Sequence, residues 1–279
     1  MRIVRSVGEV RAALAPLRGG SVGLVPTMGA YHDGHLALFR AARAECDTVV
    51  ASLFVNPTQF LAGEDFGGYP RDEAADATLA AESGVDLLYV PTVDEVYPTG
   101  FQTHVEVAGL AELLEGAHRP GHFRGVATVC LKLFNTIRPD RAYFGQKDAQ
   151  QVAVVQRLVR DLDVGVEIVV VPTVRDATGL ALSSRNAYLS ATEREVAGAL
   201  GRALTAGAAA WRAQPGDATA AAANAAATAR AVLAAEPRLT VDYAEVARFD
   251  STTVLAGAIR VGRTRLIDNV VLDEGDPPA

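Results

Sequence analysis

The chain has 279 residues, 49% of them hydrophobic and 21% charged, and a net charge of -7. That length admits a sizeable core in one large and one small domain, while the acidic balance argues against nucleic-acid or anionic-membrane binding, both of which need a basic footprint. Two cysteines without a CxxC pair, no long apolar leader and no apolar run approaching ~18 residues exclude a disulfide scaffold, a structural zinc site and a membrane span, and point to a soluble cytoplasmic protein.

In chain order, "SVGLVPT" (21–27) reads as a buried strand, "GHLALFRAARAEC" (34–46) as a helix and "DTVVASLFVN" (47–56) as the next buried strand. After a loop rich in Gly, Asp and Pro, "RDEAADATLAAESG" reads as a helix starting behind Pro70, and "VDLLYVP" as a strand. The alternation resumes with a helix over 125–139, a strand over 141–145, a helix over 147–162 and a strand over 165–173. Apolar strands alternating with helices predict an α/β fold, a Rossmann-like doubly wound parallel sheet covered on both faces.

From about residue 190 the composition shifts to alanine-rich stretches that read as helices, with a period too weak to give their register; the alanine excess reads as compositional bias. "TVDYAEVARFD" and "AIRVGRTRLIDNVVL" read as strands, and the acidic "DEGDPPA" is expected to fray. The expected organisation is a Rossmann-like doubly wound domain over 1–173 followed by a smaller α+β domain over 174–279.

Four stretches carry chemistry. In "PTMGAYHDGHLALFR", His32 and His35 flank Asp33 and Gly34 at the mouth of a helix. Open backbone N–H groups and the dipole at a helix start favour phosphate, imidazoles donate hydrogen bonds to it, and Gly34 allows close approach. The competing reading is that these are helix caps. A metal site built on His-x-x-His lacks further ligands nearby, so no residue is assigned to a metal. In "SLFVNPTQF", Asn56 and Gln59 offer amides suited to a hydroxylated or carboxylated substrate, against an Asn-Pro capping turn as the alternative for Asn56.

In "YFGQKDAQQ", Lys147 is expected in the first turn of a helix, where its charge opposes the dipole and a bound anion would compensate. Asp148 suits a ribose hydroxyl or a cap, and Gln151 lies one turn on from Lys147. In "TGLALSSRN", Ser183, Ser184 and Arg185 are residues that hold phosphate. The glycine-rich "LAGEDFGGYP" looks like a mobile lid that would shield a reactive intermediate from water.

With these stretches, "YPRD", "RPGHFRGVATV", "KLFN", "PTVRDATGLALSSRN" and "DYAEV", the chain resembles the pantoate–β-alanine ligases of the HIGH-motif nucleotidyltransferase superfamily over nearly its whole length. The resemblance implies that ATP and (R)-pantoate give pantoyl adenylate and pyrophosphate with Mg2+, and that the amine of β-alanine then releases pantothenate and AMP. It implies ATP contacts from Pro26, Thr27, Met28, Gly29, Ala30, Tyr31, His32, Asp33, Gly34 and His35, from Gly145, Gln146, Lys147 and Asp148, and from Val174, Leu182, Ser183, Ser184 and Arg185. His35, His32, Lys147 and Arg185 become the catalytic cluster, with His35 in the proton-donor position. Gln59, Gln151, Asn56 and Tyr69 fall to pantoate and β-alanine, and a homodimer is implied.

Tyr31 and Asp33 stand where the family commonly has Leu and Glu, Leu182 where Met is common, and Gln146 where Glu often occurs. Two rivals share some of these signals. A nucleotidyltransferase that stops at adenylyl transfer to a phosphorylated acceptor does not explain "NPTQF" or "KDAQQ", and a non-catalytic nucleotide-binding module does not explain why His35, Lys147 and Arg185 are all present.

Overall fold

The computed structural model describes residues 1–273, so the fraying expected of the terminal segment lies, from residue 274 on, outside the described residues. Six strands form a parallel sheet in the order β1-β4-β3-β2-β5-β6: β1 (Arg2–Val4), β2 (Val22–Thr27), β3 (Thr48–Leu53), β4 (Leu87–Tyr89), β5 (Arg141–Gly145) and β6 (Glu167–Val171). The strand order reverses between β2 and β5, and in doubly wound sheets ligands bind beyond the carboxyl ends of the strands at that switch. The expected sheet is what is found. β1 and the helix after it, α1 (Val7–Leu14), form where no element is read from the sequence; α1 is closed by a capping box between Ser6 and Glu9.

The covering helices are α1, α2 (Asp33–Glu45), α3 (Glu73–Glu82), the short α4 (Val93–Val96) and α5 (Glu115–His118), α6 (His122–Ile137) and α7 (Ala149–Asp161). One face of the sheet packs Leu24, Val50, Ala142 and Phe144 against Val126, Cys130 and Phe134 of α6. The other packs Val25, Val49, Ala51 and Tyr143 against Leu38, Phe39 and Ala42 of α2. The strands are apolar on both faces because both faces are covered.

The described residues divide into two compact units. One holds Met1–Gly145 and Gln150–Pro172; the other holds the chain from Thr173 onward together with Gln146–Ala149. The second unit contains α8 (Ala191–Ala197), α9 (Ala199–Arg212) and α10 (Ala218–Ala234) and an antiparallel sheet in the order β7 (Leu239–Phe249), β8 (Thr252–Val261), β9 (Thr264–Val271). Its core joins Leu200, Leu204 and Leu233 to Leu255, Ile259 and Leu266. Ala221, Ala225 and Ala229 are buried at helical spacing on α10, so part of the alanine excess that reads as bias forms a packing face. No helix among the described residues is long and apolar enough to cross a membrane.

Candidate active site

The loop after β2 is a tight turn with Gly29 at φ 90° and Ala30 at φ 55°, both in the left-handed region. Asp76 of α3, 3% exposed, accepts the N–H of Ala30 and of Tyr31, each at 2.8 Å. A Cβ at Gly29 would stand 2.8 Å from the same carboxylate, so glycine is required there. The Thr27 hydroxyl donates to the Ser52 carbonyl at 2.5 Å and accepts the N–H of Gly29 at 3.3 Å. Tyr31 is 9% exposed and packs edge-on against Phe39 with centroids 5.1 Å apart. Burial pushes its phenol above the ordinary range.

His32 and His35 form the capping box of α2. His32 Nδ1 accepts the N–H of Gly34 at 3.1 Å, and His35 Nδ1 accepts the N–H of His32 at 3.4 Å. Three amides of this turn are committed within the protein: Gly34 gives its N–H to His32, and Ala30 and Tyr31 give theirs to Asp76. The caps have a chemical consequence. A neutral imidazole that accepts at Nδ1 carries its proton on Nε2, so each ring is a donor at its far nitrogen. The ring centroids lie 4.2 Å apart.

Beyond β3, Asn56 caps the 3-10 turn Pro57–Gln59 through its side-chain oxygen. It is 1% exposed, and both ends of its amide are committed. Nδ2 donates to Gln59 Oε1 at 2.9 Å and to the Gly125 carbonyl at 3.2 Å. Oδ1 accepts from the Tyr97 hydroxyl at 2.8 Å and from the Thr58 hydroxyl at 2.9 Å. Gln59 Nε2 lies 3.4 Å from Met28 Sδ. Gly125 lets α6 come this close: a Cβ there would collide with the Thr58 carbonyl.

The Gln59 backbone is held as well. Its carbonyl lies 2.7 Å from His122 Nδ1 and accepts from Arg119 Nη2 at 3.2 Å. Arg119 Nη1 donates to His122 Nε2 at 3.1 Å, which puts the ring proton on Nδ1, facing the carbonyl. Burial, then the Arg119 charge, lowers the His122 pKa to about 4, so the ring is neutral. Arg119 also grips Glu64 with two bonds, of 2.6 and 2.7 Å. Burial raises the Glu64 carboxyl, but the Arg119 bond and the Leu61 N–H outweigh it and leave the carboxyl below its usual range. The segment that reads as a mobile lid is thus tethered at Glu64, and Arg71 donates to the Phe66 carbonyl at 2.9 Å. Tyr69 is 6% exposed, with its ring 6.0 Å from that of Phe60.

Gly145 ends β5, and Gln151 lies half-buried in the first turn of α7. Its neighbour Gln150 is structural: it accepts from the Glu115 N–H at 3.0 Å and donates to the carbonyls of Leu110 and Leu113.

In the second unit, Gln146–Asp148 is a 3-10 turn ahead of α7, not the first turn of the helix as expected for Lys147. The Lys147 side chain is 19% exposed and lies 3.4 Å from Asp148 Oδ1. Its charge is answered in part by Asp148, so a bound anion is not its only possible compensation. Asn269 of β9 donates to the carbonyls of Gln146 and Lys147 at 2.8 and 2.9 Å, and Gln146 Nε2 donates back to Asn269 Oδ1 at 3.1 Å. Glutamine can donate that bond where a carboxylate could not. The neighbouring Asp268, 3% exposed, pairs with Arg175 at 2.5 and 3.0 Å.

Val174 and Leu182 close a small hairpin by a 2.9 Å backbone bond, turned by Asp176, whose carboxylate accepts from Thr178 and from the Leu180 N–H. Ser183 caps the 3-10 turn Ser184–Tyr188 by accepting the Arg185 N–H at 3.3 Å.

The family model for pantoate-beta-alanine ligase matches residues 2–271. The chain belongs to the pantoate-beta-alanine ligase family. Pantothenate synthetase of Moorella thermoacetica is 50% identical, with 99% of this chain and 100% of that protein aligned. The crystal structure of pantothenate synthetase from Thermus thermophilus superposes with a TM-score of 0.91 at 49% identity, covering 98% of this chain and 99% of that one. The ligase from Francisella tularensis, crystallised with beta-gamma ATP and beta-alanine, gives a TM-score of 0.81 at 34% identity, covering 99% of each chain.

Several residues that hold these loops and turns carry no role in the sequence reading: Asp76, Tyr97, Arg119, His122 and Asn269. Arg119 and His122 lie within "RPGHFRGVATV", and Asp268 and Asn269 interrupt an apolar strand with two adjacent polar residues. Asp76 and Tyr97 give no comparable signal.

Proposed function

We propose that the chain condenses pantoate with β-alanine through a pantoyl adenylate, using the loops after β2, β3 and β5 and the Ser183–Arg185 turn as its working parts. As a member of the ligase family, it is an ATP-dependent enzyme of pantothenate formation. The observation that supports the detailed reading is the pair of histidine caps at the head of α2, whose accepting Nδ1 atoms put each ring proton on Nε2.

The reaction begins when a pantoate carboxylate oxygen attacks the α-phosphorus of ATP and pyrophosphate departs. Negative charge concentrates on phosphate oxygens as this happens, and fixed donors stabilise it. His32 and His35 supply hydrogen bonds from Nε2, with His35 donating and no proton transfer required. Lys147 and Arg185 supply positive charge for the phosphates, and Ser183 and Ser184 hydroxyls bind them. Pro26–Asp33, Gly145, Gln146, Val174 and Leu182 line the nucleotide, with Asp148 at the ribose. Gln59 and Gln151 hold pantoate, and Asn56 acts through Gln59. Tyr69 packs beneath that pocket. The β-alanine amine then attacks the acyl carbon, and AMP leaves.

Among the described residues, no group of three or more His, Cys, Asp or Glu is placed to hold a metal ion. Mg2+, if used, would enter with the ATP substrate. The two cysteines are buried, unpaired thiols, which supports the reading of a cytoplasmic enzyme, and the family resemblance supports a homodimer.

Product analysis tests this reading. ATP and pantoate should yield AMP and pyrophosphate, with pantothenate formed once β-alanine is present. Formation of ADP and inorganic phosphate would mean an acyl-phosphate route and overturn it.

A further inference from the structure

The amides around Gln59 have polarities set by groups that cannot exchange roles. The Gly125 carbonyl only accepts, so the Asn56 atom 3.2 Å from it is Nδ2. The Thr58 backbone N–H only donates, so the Asn56 atom 3.3 Å from it is Oδ1. Asn56 Nδ2 also lies 2.9 Å from the Gln59 side chain, whose facing atom must therefore be the carbonyl Oε1. Gln59 is left with its NH2 at the opposite end, against Met28. Turning the Gln59 amide over would set two NH2 groups against each other. Turning Asn56 over would set its oxygen against the Gly125 carbonyl.

The Tyr97 hydroxyl stands behind this pair. It donates to Asn56 Oδ1 at 2.8 Å, and its ring is held by Phe101, 5.1 Å away between centroids, and by Phe54 at 6.2 Å. The Lys132 ammonium lies 6.0 Å from the same ring. Burial raises the Tyr97 phenol above its ordinary range, so it remains a protonated donor.

We propose that Tyr97, acting through Asn56, is a specificity-determining positioning residue: the pair fixes Gln59 as a hydrogen-bond donor, so the pocket selects a substrate oxygen that accepts and rejects a donor at the same place. The ligand class is a 2-hydroxy acid presented as its carboxylate. This rests on the reading of Gln59 as a pantoate contact. Neither Tyr97 nor Asn56 touches the substrate in this account.

Steady-state kinetics of the full-length enzyme test it with Tyr97→Phe, which removes one hydroxyl and keeps the ring. The KM for pantoate should rise about three- to tenfold, the effect of one lost hydrogen bond, while the KM for ATP stays within about twofold. In a Gln59→Ala background the same change should add nothing, because the group it positions is gone. Asn56→Asp goes further: a carboxylate there accepts from Gln59 Nε2 and turns Oε1 outward. That variant should narrow the preference for pantoate over its primary amide, measured as a competitive inhibitor, by about tenfold or more.

If Asn56→Asp does not fold, Tyr97→Phe alone decides. Equal rises in both KM values, or an unchanged pantoate KM where Gln59→Ala raises it, overturn the proposal. An unchanged pantoate KM in Gln59→Ala itself overturns the reading of Gln59 on which the proposal rests, and the proposal with it.

Discussion

Asn269 Nδ2 lies 2.9 Å from the carbonyl oxygen of Lys147, although the two residues stand 122 positions apart. The same amide holds Gln146, and Asn269 is 4% exposed, so the turn that presents Lys147 is fastened to β9 by part-buried bonds. Asn269→Ala leaves two backbone carbonyls without these donors and should cost about 1–3 kcal/mol of stability. Adenylate formation should slow by roughly tenfold or more, and the same substitution added to Lys147→Ala should have little further effect on that rate. A double-mutant cycle on the first half-reaction measures this; full additivity would show that Asn269 does not work through Lys147.

Lys147→Ala itself should slow adenylate formation by roughly a hundredfold or more, a loss of about 3 kcal/mol in transition-state stabilisation. Amine attack on preformed adenylate releases no pyrophosphate and should change far less. Single-turnover measurement of each half-reaction separates the two. Equal slowing of both would make the lysine structural.

Asp76 holds the turn that leads into the histidines by two charge-assisted bonds from a buried position. Asp76→Ala should destabilise the fold by about 3 kcal/mol, because two backbone donors lose a carboxylate. Asp76→Asn keeps the shape but offers one oxygen in place of two, and should retain the fold while weakening ATP binding about tenfold. Thermal melts and calorimetric titration with a non-hydrolysable ATP analogue read the two effects. An Asn variant with unchanged nucleotide affinity would remove Asp76 from the site.

His122 makes stability depend on pH with a definite sign. Its pKa of about 4 in the fold lies below the ordinary histidine value of 6.5, so above 6.5 both folded and unfolded states are neutral there and the contribution is intact. As pH falls from 6.5 toward 4, the unfolded chain gains a proton that the folded chain refuses, and stability is lost by up to about 3 kcal/mol. Below 4 both states are protonated and the loss stops growing. Urea unfolding across this range should show the slope in the parent enzyme and a shallower one in His122→Gln. Parallel pH profiles would place the acid sensitivity elsewhere.

Legibility in the sequence follows the range of the interaction. The sheet is readable because each long strand is a short apolar run and each helix has its own periodicity. The strand β1 is three residues long and pairs with β4, far along the chain, so nothing local announces it. The histidines are visible as a motif, and their capping is an open alternative; the choice of tautomer is not visible, because it depends on which backbone N–H each Nδ1 meets. Spacing alone puts Lys147 at a helix start, and a 3-10 turn pinned by Asn269 stands there instead. Asp76, Tyr97 and Asn269 act across dozens of residues through one to three hydrogen bonds each, which leave no periodic trace.

The close seat of Gly125 against the Thr58 carbonyl ties two properties of the enzyme together. The three-residue turn that carries Gln59 is keyed into the flank of α6 with no side chain between them, as a pin sits in a notch. Loops elsewhere can lengthen or drift without disturbing their neighbours, but this one has no slack. Any change that moves the Gln59 backbone must also shift a sixteen-residue helix buried along most of its length. Substitution at the rim is therefore a simple route to altered substrate preference only where it leaves that notch untouched, and engineering a new acid into the pocket calls for changes to α6 and the turn as one piece.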